Sequence, residues 1–463
     1  MGKIKITIKD LFNVPSATIY NPDAFKGVTN VVIDSRKAKK GSLFVAIKGE
    51  KFDGHDFVLT AVRNGAEAVV IDEKKLKKFN SLTIPVVTVN NTMKAYGDIA
   101  KIWRKKLNAK VICITGSNGK TTVKEMIATL LSEKYKVVKT EANNNNHIGV
   151  PLTILSADEK CDILVLELGT NHFGEIEYIS DISQPDISII TNIGDSHLEF
   201  FKDPAGVFKE KSILFSVTDK CGGTVFINTD DPIIKKGSKF YKNKITYGFT
   251  GAADIKGKIL QYTEDGRTII KITTRNKTFK TTLPLYGESS AKNFLAATAV
   301  ALSIGLTIKQ IITGTSKFKQ VDGRLKVKDL NNNIIIDDSY NSNSASIESA
   351  VELVTRIKKY RNKLIILGDI FELGKYSSKI HGELAKIFQP NNNLIVLTIG
   401  KKMKVLNKSL TQKKVKSIHF NSRKELSLYL KYANIENSVI LIKGSRGMKM
   451  EEFLNILETR FAI

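Results

Sequence analysis

The sequence predicts an α/β protein built from three domains. Three observations carry that expectation. The chain has 463 residues, about three domains at roughly 150 residues each. Short apolar, β-branched runs alternate with helix-periodic segments along most of its length, the pattern of parallel sheets wrapped by helices. Hydrophobic residues make up 42% and charged residues 25%, an ordinary globular balance that excludes a disordered or fibrous chain and can bury a normal core.

The first block, residues 1–107, reads as a small α/β domain. MGKIKITIKDLF alternates like a strand, and VVIDSRKAKKGSLFVAIKG reads as short strands around polar turns. HDFVLTAVRNGAEAVVID predicts a helix followed by a strand. MKAYGDIAKIWRKKL is amphipathic by its i, i+3, i+4 spacing and closes the block. The second block, 108–318, begins with the strand VICIT and continues into DILVLELG and DISIITNIG, two runs expected to be buried parallel strands. Residues 222–285 are rich in Thr, Lys and alternating apolar positions and predict antiparallel strands. GESSAKNFLAATAVALSIG predicts a loop and then an apolar helix. The third block, 319–463, alternates IIIDD, KLIILGD, NLIVLTIG and SVILIKGS with helical segments, including one over 346–360. That is the signature of a Rossmann-like, doubly wound domain.

Composition excludes several classes. No window approaches 18 uninterrupted apolar residues, so no transmembrane helix is expected. The N-terminus shows no signal-peptide core, and Ile6 stands where a myristoylation motif at Gly2 needs Ser or Thr. Cys113, Cys161 and Cys221 are odd in number and widely spaced, which supports neither a zinc cluster nor a disulfide framework and fits a reducing, cytoplasmic setting. The net charge of +26 raises nucleic-acid binding. Only 11 of the 72 basic residues are Arg, however, and Arg is the usual reader of phosphates and bases. The lysines are spread evenly, so compositional drift on a solvated surface explains the charge better, although the field would favour an anionic substrate.

The segment Gly116-Ser117-Asn118-Gly119-Lys120-Thr121-Thr122 follows a strand and opens a helix. Glycines let backbone N–H groups approach phosphate oxygens, and the helix N-terminus adds favourable partial charge. Lys120 can neutralise β- and γ-phosphate oxygens, and the Thr121 hydroxyl can reach Mg²⁺. The position five before Gly119 is Ile114, so this is a short variant of the G-x-x-x-x-G-K-T loop. It makes the middle block a P-loop-type parallel-sheet ATPase domain. Glu167 ends an apolar strand, where α/β sheets bind ligands, and could hold a metal, order water or pair with a lysine. His197 lies just past the next strand, on what should be its parallel neighbour. Lys211 is one of 61 lysines and nothing local singles it out. The Asn143–Asn146 run is either low complexity or the lining of a polar pocket.

Taken together, TGSNGKTT, EANNNNHIGVP, LELGTNHFGEI and TNIGDSHLEFF, followed by DDSYNSN, LGDIFELG and LIKGSRGM, resemble the Mur ligase family over nearly the whole length. Within it they are most similar to the branch that adds D-alanyl-D-alanine. The resemblance implies an ATP-dependent amide ligase of peptidoglycan precursor synthesis, with UDP-N-acetylmuramoyl-tripeptide and D-alanyl-D-alanine as substrates and two Mg²⁺ ions. It implies catalytic roles for Lys120, Lys211 and His197, and metal ligation by Thr121, Glu167, His197 and Lys211, the last as a carbamate. Asn293, Arg324 and Asp338 match nucleotide contacts. Asp34, Ser35 and Arg36 match the uridine-nucleotide loop. Asn145, Asn146, Asn341 and Asn343 match substrate-side positions. Two departures stand out: Ser289 and Ser290 replace a family His and Asn, and Ser344 replaces a Pro. A cytoplasmic monomer with no nucleic-acid or membrane partner completes the expectation. The rival readings are a sister ligase adding one amino acid, a folylpolyglutamate synthase, an inactive paralogue, or a basic nucleic-acid-binding ATPase.

Overall fold

A computed structural model describes residues 4–461. The chain divides into two compact units. The first takes the chain through Thr115 with Lys134–Ile189 and Ser212–Val225; the second takes Gly116–Glu133, Ile190–Lys211 and the chain from Phe226 onward.

The first unit carries two runs of strands. β1 (Thr18–Tyr20), β2 (Asn30–Val32), β3 (Ser42–Val45), β4 (Ala66–Asp72) and β5 (Val86–Val89) lie in the order β1-β5-β4-β3-β2, with β1 antiparallel and the rest parallel. β6 (Lys110–Thr115), β7 (Val137–Lys139), β8 (Ile163–Glu167) and β9 (Ile187–Ile190) follow in the order β9-β6-β8-β7. β6, β7 and β8 pair in parallel, as expected of apolar runs buried on both faces. The helix Thr92–Lys106 starts at Asn91, whose side chain accepts from the Lys94 amide, and packs on the helices Gly149–Ser156 and Glu175–Ser183. Its Trp103 is buried, and the indole N–H donates to the Ala157 carbonyl at 2.9 Å. Arg104 adds bonds to the Ser183 and Gln184 carbonyls.

Two expectations are corrected here. The N-terminal strand is not formed. Residues 1–3 lie outside the described residues; Ile4 and Ile6 are buried, but only an isolated Ile6–Val28 bridge forms. Residues Ile8–Phe12 are helical because Thr7 and Asp10 make a reciprocal capping box, a local signal that outweighs alternation over so few residues. β9 is also not the neighbour of β8, because β6 lies between them.

In the second unit the helix Lys120–Leu131 packs on the helices Gly287–Ser303 and Ile308–Ser316. β10 (Thr224–Asn228), β11 (Lys244–Gly248), β12 (Ile255–Tyr262), β13 (Arg267–Thr274) and β14 (Thr278–Tyr286) run in the order β14-β13-β12-β11-β10. β12, β13 and β14 are antiparallel as expected, whereas β11 and β12 are parallel. The predicted loop at 287–293 is instead helical from Gly287, where φ is +79°. That glycine turns the chain directly from β14 into the helix.

The last third holds β15 (Lys326–Leu330), β16 (Asn333–Asp338), β17 (Asn362–Gly368), β18 (Leu394–Ile399), β19 (Ser417–Phe420) and β20 (Ser438–Lys443), in the order β15-β16-β20-β17-β18-β19. β15 is an antiparallel edge; the others are parallel. Ile334 and Ile336 enter one core while Ile335 enters the other, the two-face burial of a doubly wound sheet. Leu198, Phe201 and Val207 join the first of these cores. Among the described residues no helix is long and apolar enough to cross a membrane.

Leu164 of β8 is fully buried in the first unit's core. Leu164→Ala is expected to destabilise that unit by about 2–5 kcal/mol. Denaturant unfolding followed by Trp103 fluorescence, the chain's one tryptophan, measures it.

Candidate active site

In the second unit the chain leaves β6 through Gly116 (φ +146°), turns at Gly119 (φ +81°) and enters the helix at Lys120. A Cβ on Gly116 would lie 1.9 Å from Thr191 Oγ1, and one on Gly119 would lie 2.4 Å from Asn293 Oδ1. Both positions are therefore closed to side chains by space as well as by φ. The loop is braced by the segment after β9. Ser117 N donates to the Asn192 carbonyl (2.9 Å) and Asn118 N to Asn192 Oδ1 (3.0 Å). Thr191 Oγ1 donates to the Asn118 carbonyl (2.5 Å), and Gly194 N donates to Ser117 Oγ (2.9 Å). Lys120 Nζ folds back onto the Gly116 carbonyl at 2.7 Å. Thr121 is buried in the helix's first turn, where Thr122 also sits. That turn carries the positive end of the helix dipole.

Lys211 ends the helix Pro204–Lys211 and is only 1% exposed. Burial pushes its pKa well below the ordinary lysine value; the positive charge of Lys120 adds to this and Glu210 opposes it. Burial and the neighbouring loop lysine thus both disfavour the charged form of this amine. His197 takes a left-handed backbone (φ +54°) as the cap of the short helix Leu198–Phe201. Its Nδ1 makes an ion-pair contact with the Glu372 carboxylate, without the direction of a good hydrogen bond.

The start of the last third reaches the loop as well. Asn343 caps the helix Ser344–Arg356, and its Nδ2 donates to Asn118 Oδ1 at 2.8 Å. Ser344 donates to Asp195 Oδ2 at 2.9 Å. Asp338 is buried and paired with Lys443 Nζ at 2.5 Å, and also accepts from Leu325 N. Lys443 Nζ further donates to the Asn341 carbonyl at 3.0 Å. Arg324 stacks its guanidinium 4.2 Å from the Tyr340 ring.

The first unit holds the remaining candidates. Glu167 is buried at the end of β8, with Oε1 accepting from Asn145 Nδ2 at 2.9 Å. Asn146 spends its side-chain oxygen on Ile148 N and Gly149 N, at the start of the helix Gly149–Ser156. Asp34 caps a 3-10 turn at Ser35–Lys37 and binds the Arg36 guanidinium through both carboxylate oxygens. That guanidinium is the main reason the Asp34 carboxyl is lowered to about 2. Ser35 is buried beneath them.

Sequence reasoning grouped the phosphate loop with Asn293, and the second unit brings these together; Asn343, which it put with the substrate-side positions, also meets the loop. Asn192, Asp195, Glu372 and Lys443 were missed. The last two sit in LGDIFELG and LIKGSRGM, which were read only as markers. Among the described residues no three His, Cys, Asp or Glu side chains cluster closely enough to hold a metal. An oxygen-rich Mg²⁺ site here would depend on a hydroxyl such as Thr121 and on modification of Lys211, because an unmodified lysine offers no anionic oxygen. With that modification, Thr121, the remaining ring nitrogen of His197 and Lys211 would supply donors of the types such a site uses.

Family models match three stretches: the Mur ligase family catalytic domain at 27–104, the Mur ligase middle domain at 114–301 and the Mur ligase glutamate ligase domain at 323–446. A UDP-N-acetylmuramoyl-tripeptide--D-alanyl-D-alanine ligase from Haemophilus influenzae is 34% identical, over 99% of each chain. The chain belongs to the Mur ligase family. Solved structures of family members agree. MurF from Acinetobacter baumannii superposes with a TM-score of 0.87 at 27% identity, covering 99% of this chain and 100% of that one. MurF from Thermotoga maritima, in complex with ADP, superposes with a TM-score of 0.83 at 28% identity, covering 94% and 98%. These matches bear out the three-domain α/β ligase fold and do not favour a nucleic-acid-binding ATPase or a single-residue-adding sister ligase.

Gly119→Ala is expected to destabilise the second unit by about 1–3 kcal/mol through backbone strain and the clash with Asn293. Pairing it with Asn293→Ala should recover the clash but not the strain. A double-mutant cycle by denaturant unfolding, followed by circular dichroism, separates the two.

Proposed function

We propose that this chain is an ATP-dependent ligase that joins D-alanyl-D-alanine to UDP-N-acetylmuramoyl-tripeptide in the cytoplasm, as a monomer without nucleic-acid partners. The observation that carries the reading is likeness over almost the whole chain to a ligase named for this reaction, with the motif order intact. In this reading residues 1–107 bind the uridine nucleotide through Asp34, Ser35 and Arg36. Residues 108–318 bind ATP, and 319–463 supply nucleotide and dipeptide contacts.

The chemical problem is to join a carboxylate to an amine in water. The tripeptide carboxylate attacks the ATP γ-phosphorus, giving an acyl phosphate and ADP. The dipeptide amine then attacks the acyl carbon, phosphate leaves, and the nitrogen loses a proton. Both partners of the first step are anionic, so charge must be offset. Lys120, now folded on the Gly116 carbonyl, turns toward the β- and γ-phosphates, and the loop amides and helix N-terminus hold them. Gly116, Ser117, Asn118, Thr122, Asn293, Arg324 and Asp338 complete the nucleotide site. The serines at 289 and 290 leave Asn293 to hold the adenine side of it.

The buried Lys211 amine, whose charged form burial disfavours, can when unprotonated add to carbon dioxide, forming an N–C bond and releasing a proton, which yields an anionic carbamate for Mg²⁺. Thr121, Glu167, His197 and that carbamate would hold two Mg²⁺ ions. When bound, the metal neutralises phosphate charge and orients in-line transfer. Asn145 orients Glu167 through its 2.9 Å bond. Asn146, Asn341 and Asn343 face the muramoyl peptide and the incoming dipeptide. The Asn343–Asn118 and Ser344–Asp195 bonds seal the last domain over the loop and keep water from the acyl phosphate.

The test is product mass after incubation with ATP, Mg²⁺, the dipeptide and lysine- or diaminopimelate-containing UDP-tripeptides. A pentapeptide that forms only with D-alanyl-D-alanine is expected. Addition of one amino acid to a shorter precursor would reassign the chain to a sister reaction. Lys120→Ala should cost about 10²–10³-fold in kcat. Lys211→Ala should abolish turnover, and bicarbonate should not restore it.

A further inference from the structure

Glu372 has no assigned role, yet its placement is specific. It holds a left-handed backbone at φ +60°, uncommon for a residue with a side chain. Two contacts tie it to the segment that carries His197, and a nearby glycine packs on the same segment. Its carboxylate touches His197 Nδ1. Its carbonyl accepts from Glu199 N at 3.0 Å. Two residues on, a Cβ at Gly374 would lie only 3.4 Å from Glu199 Cα. His197 is itself in a left-handed conformation, and Phe201 meets its ring edge-on with centroids 6.3 Å apart. The imidazole is thus restrained on one side by an aromatic ring and on another by a carboxylate.

We infer that Glu372 is a positioning residue which, when the last domain is docked, orients His197 for metal binding. The inference rests on the reading of His197 as a metal ligand. A carboxylate at Nδ1 selects the tautomer with its proton on that atom, leaving Nε2 with the lone pair a cation needs. Carboxylates commonly orient metal-bound histidines in this way. Glu372 lies in the last third and His197 in the middle block. The metal-binding geometry of the histidine would then be complete only when the two are together. Metal affinity and domain docking become linked through a single contact.

The test uses the full chain and manganese, without turnover. Free Mn²⁺ is followed by electron paramagnetic resonance during titration in the presence of ADP, for the unaltered chain, Glu372→Gln, Glu372→Asp and His197→Ala. Trp103 fluorescence and circular dichroism melts confirm that each variant is folded. Glu372→Gln and His197→Ala should each weaken Mn²⁺ binding by about 10–100-fold, and Glu372→Asp should recover part of the loss. The main-chain bond to Glu199 survives all the Glu372 changes, so a purely structural role would not give this pattern. Wild-type affinity in Glu372→Gln beside a weakened His197→Ala overturns the inference. Weakened Glu372→Gln beside an unaffected His197→Ala also overturns it, because Glu372 would then act by another route. Wild-type affinity in both removes His197 from the metal site and with it this role of Glu372, whereas the coupling assay above tests the ligase reaction separately.

Discussion

The nucleotide end of this protein depends on one steric constraint: the turn between β6 and the helix Lys120–Leu131 has no room for a side chain at Gly116 or Gly119. Thr191 stands where a Gly116 Cβ would go, and Asn293 where a Gly119 Cβ would go. The same crowding lets Thr191, Asn192 and Gly194 bond to the loop backbone and side chains. Preorganisation follows from it. A phosphate loop held by its neighbours does not have to be ordered by the ligand, so less binding energy goes into arranging it. The constraint also explains a short loop. Bracing from the segment after β9 replaces the longer glycine-led turn of the common motif.

A second theme is how the fold treats buried cations. Lys124, Lys211 and Lys443 are fully buried among the described residues, and an isolated buried ammonium is expensive. The structure uses different solutions. Lys443 is neutralised by Asp338 and bonded to the Asn341 carbonyl, which ties β16 to β20 at the end of the sheet where such folds bind ligands. Lys124 meets Glu125 at 3.0 Å. Lys211 instead has its proton affinity driven down, first by burial and then by Lys120. A buried lysine whose charged form is disfavoured beside a second cation is poor as a structural charge. That distinction separates Lys211 from the solvated lysines responsible for most of the +26 charge.

Much of this was legible in the sequence, and what was missed has physical causes. Periodicity found the parallel runs β6, β8, β16, β17, β18 and β20, because strands buried on both faces are continuously apolar; the shorter, partly exposed β19 was not read. The strand–Gly–Lys–Thr–helix order located the phosphate loop. Local signals failed where short-range bonding or backbone freedom competed. The capping box at Thr7 and Asp10 turned an alternating segment into a helix, and Gly287 started a helix where a polar stretch suggested a loop. Strand order is a tertiary property, so the placement of β6 between β8 and β9 could not be read from either run. Lys211 looked like any other lysine because burial is invisible in composition, and only resemblance singled it out. Glu372 was missed for a related reason: its partner is about 175 residues away in the chain, and no local pattern encodes the meeting.

The segment from Ile193 to Lys211 shows how fold and chemistry are joined. Its polar positions face the phosphate loop through Gly194 and Ser196, while Leu198, Phe201 and Val207 are buried in the core of the last domain. The apolar anchors fix where His197 and Lys211 stand. The polar contacts to the loop, each worth about 0.5–1.5 kcal/mol net, are individually weak. Such a division suits a ligase that must admit three substrates and yet protect an acyl phosphate. Strong apolar burial keeps His197 and Lys211 registered with the last domain. Weak bonds such as Asn343 to Asn118 and Ser344 to Asp195 can break and re-form as the nucleotide enters and leaves. A stronger seal built from buried charge would hold the site closed and slow product release. Small polar side chains at this seam suit such a cycle, and Ser344 contributes one of its hydrogen bonds.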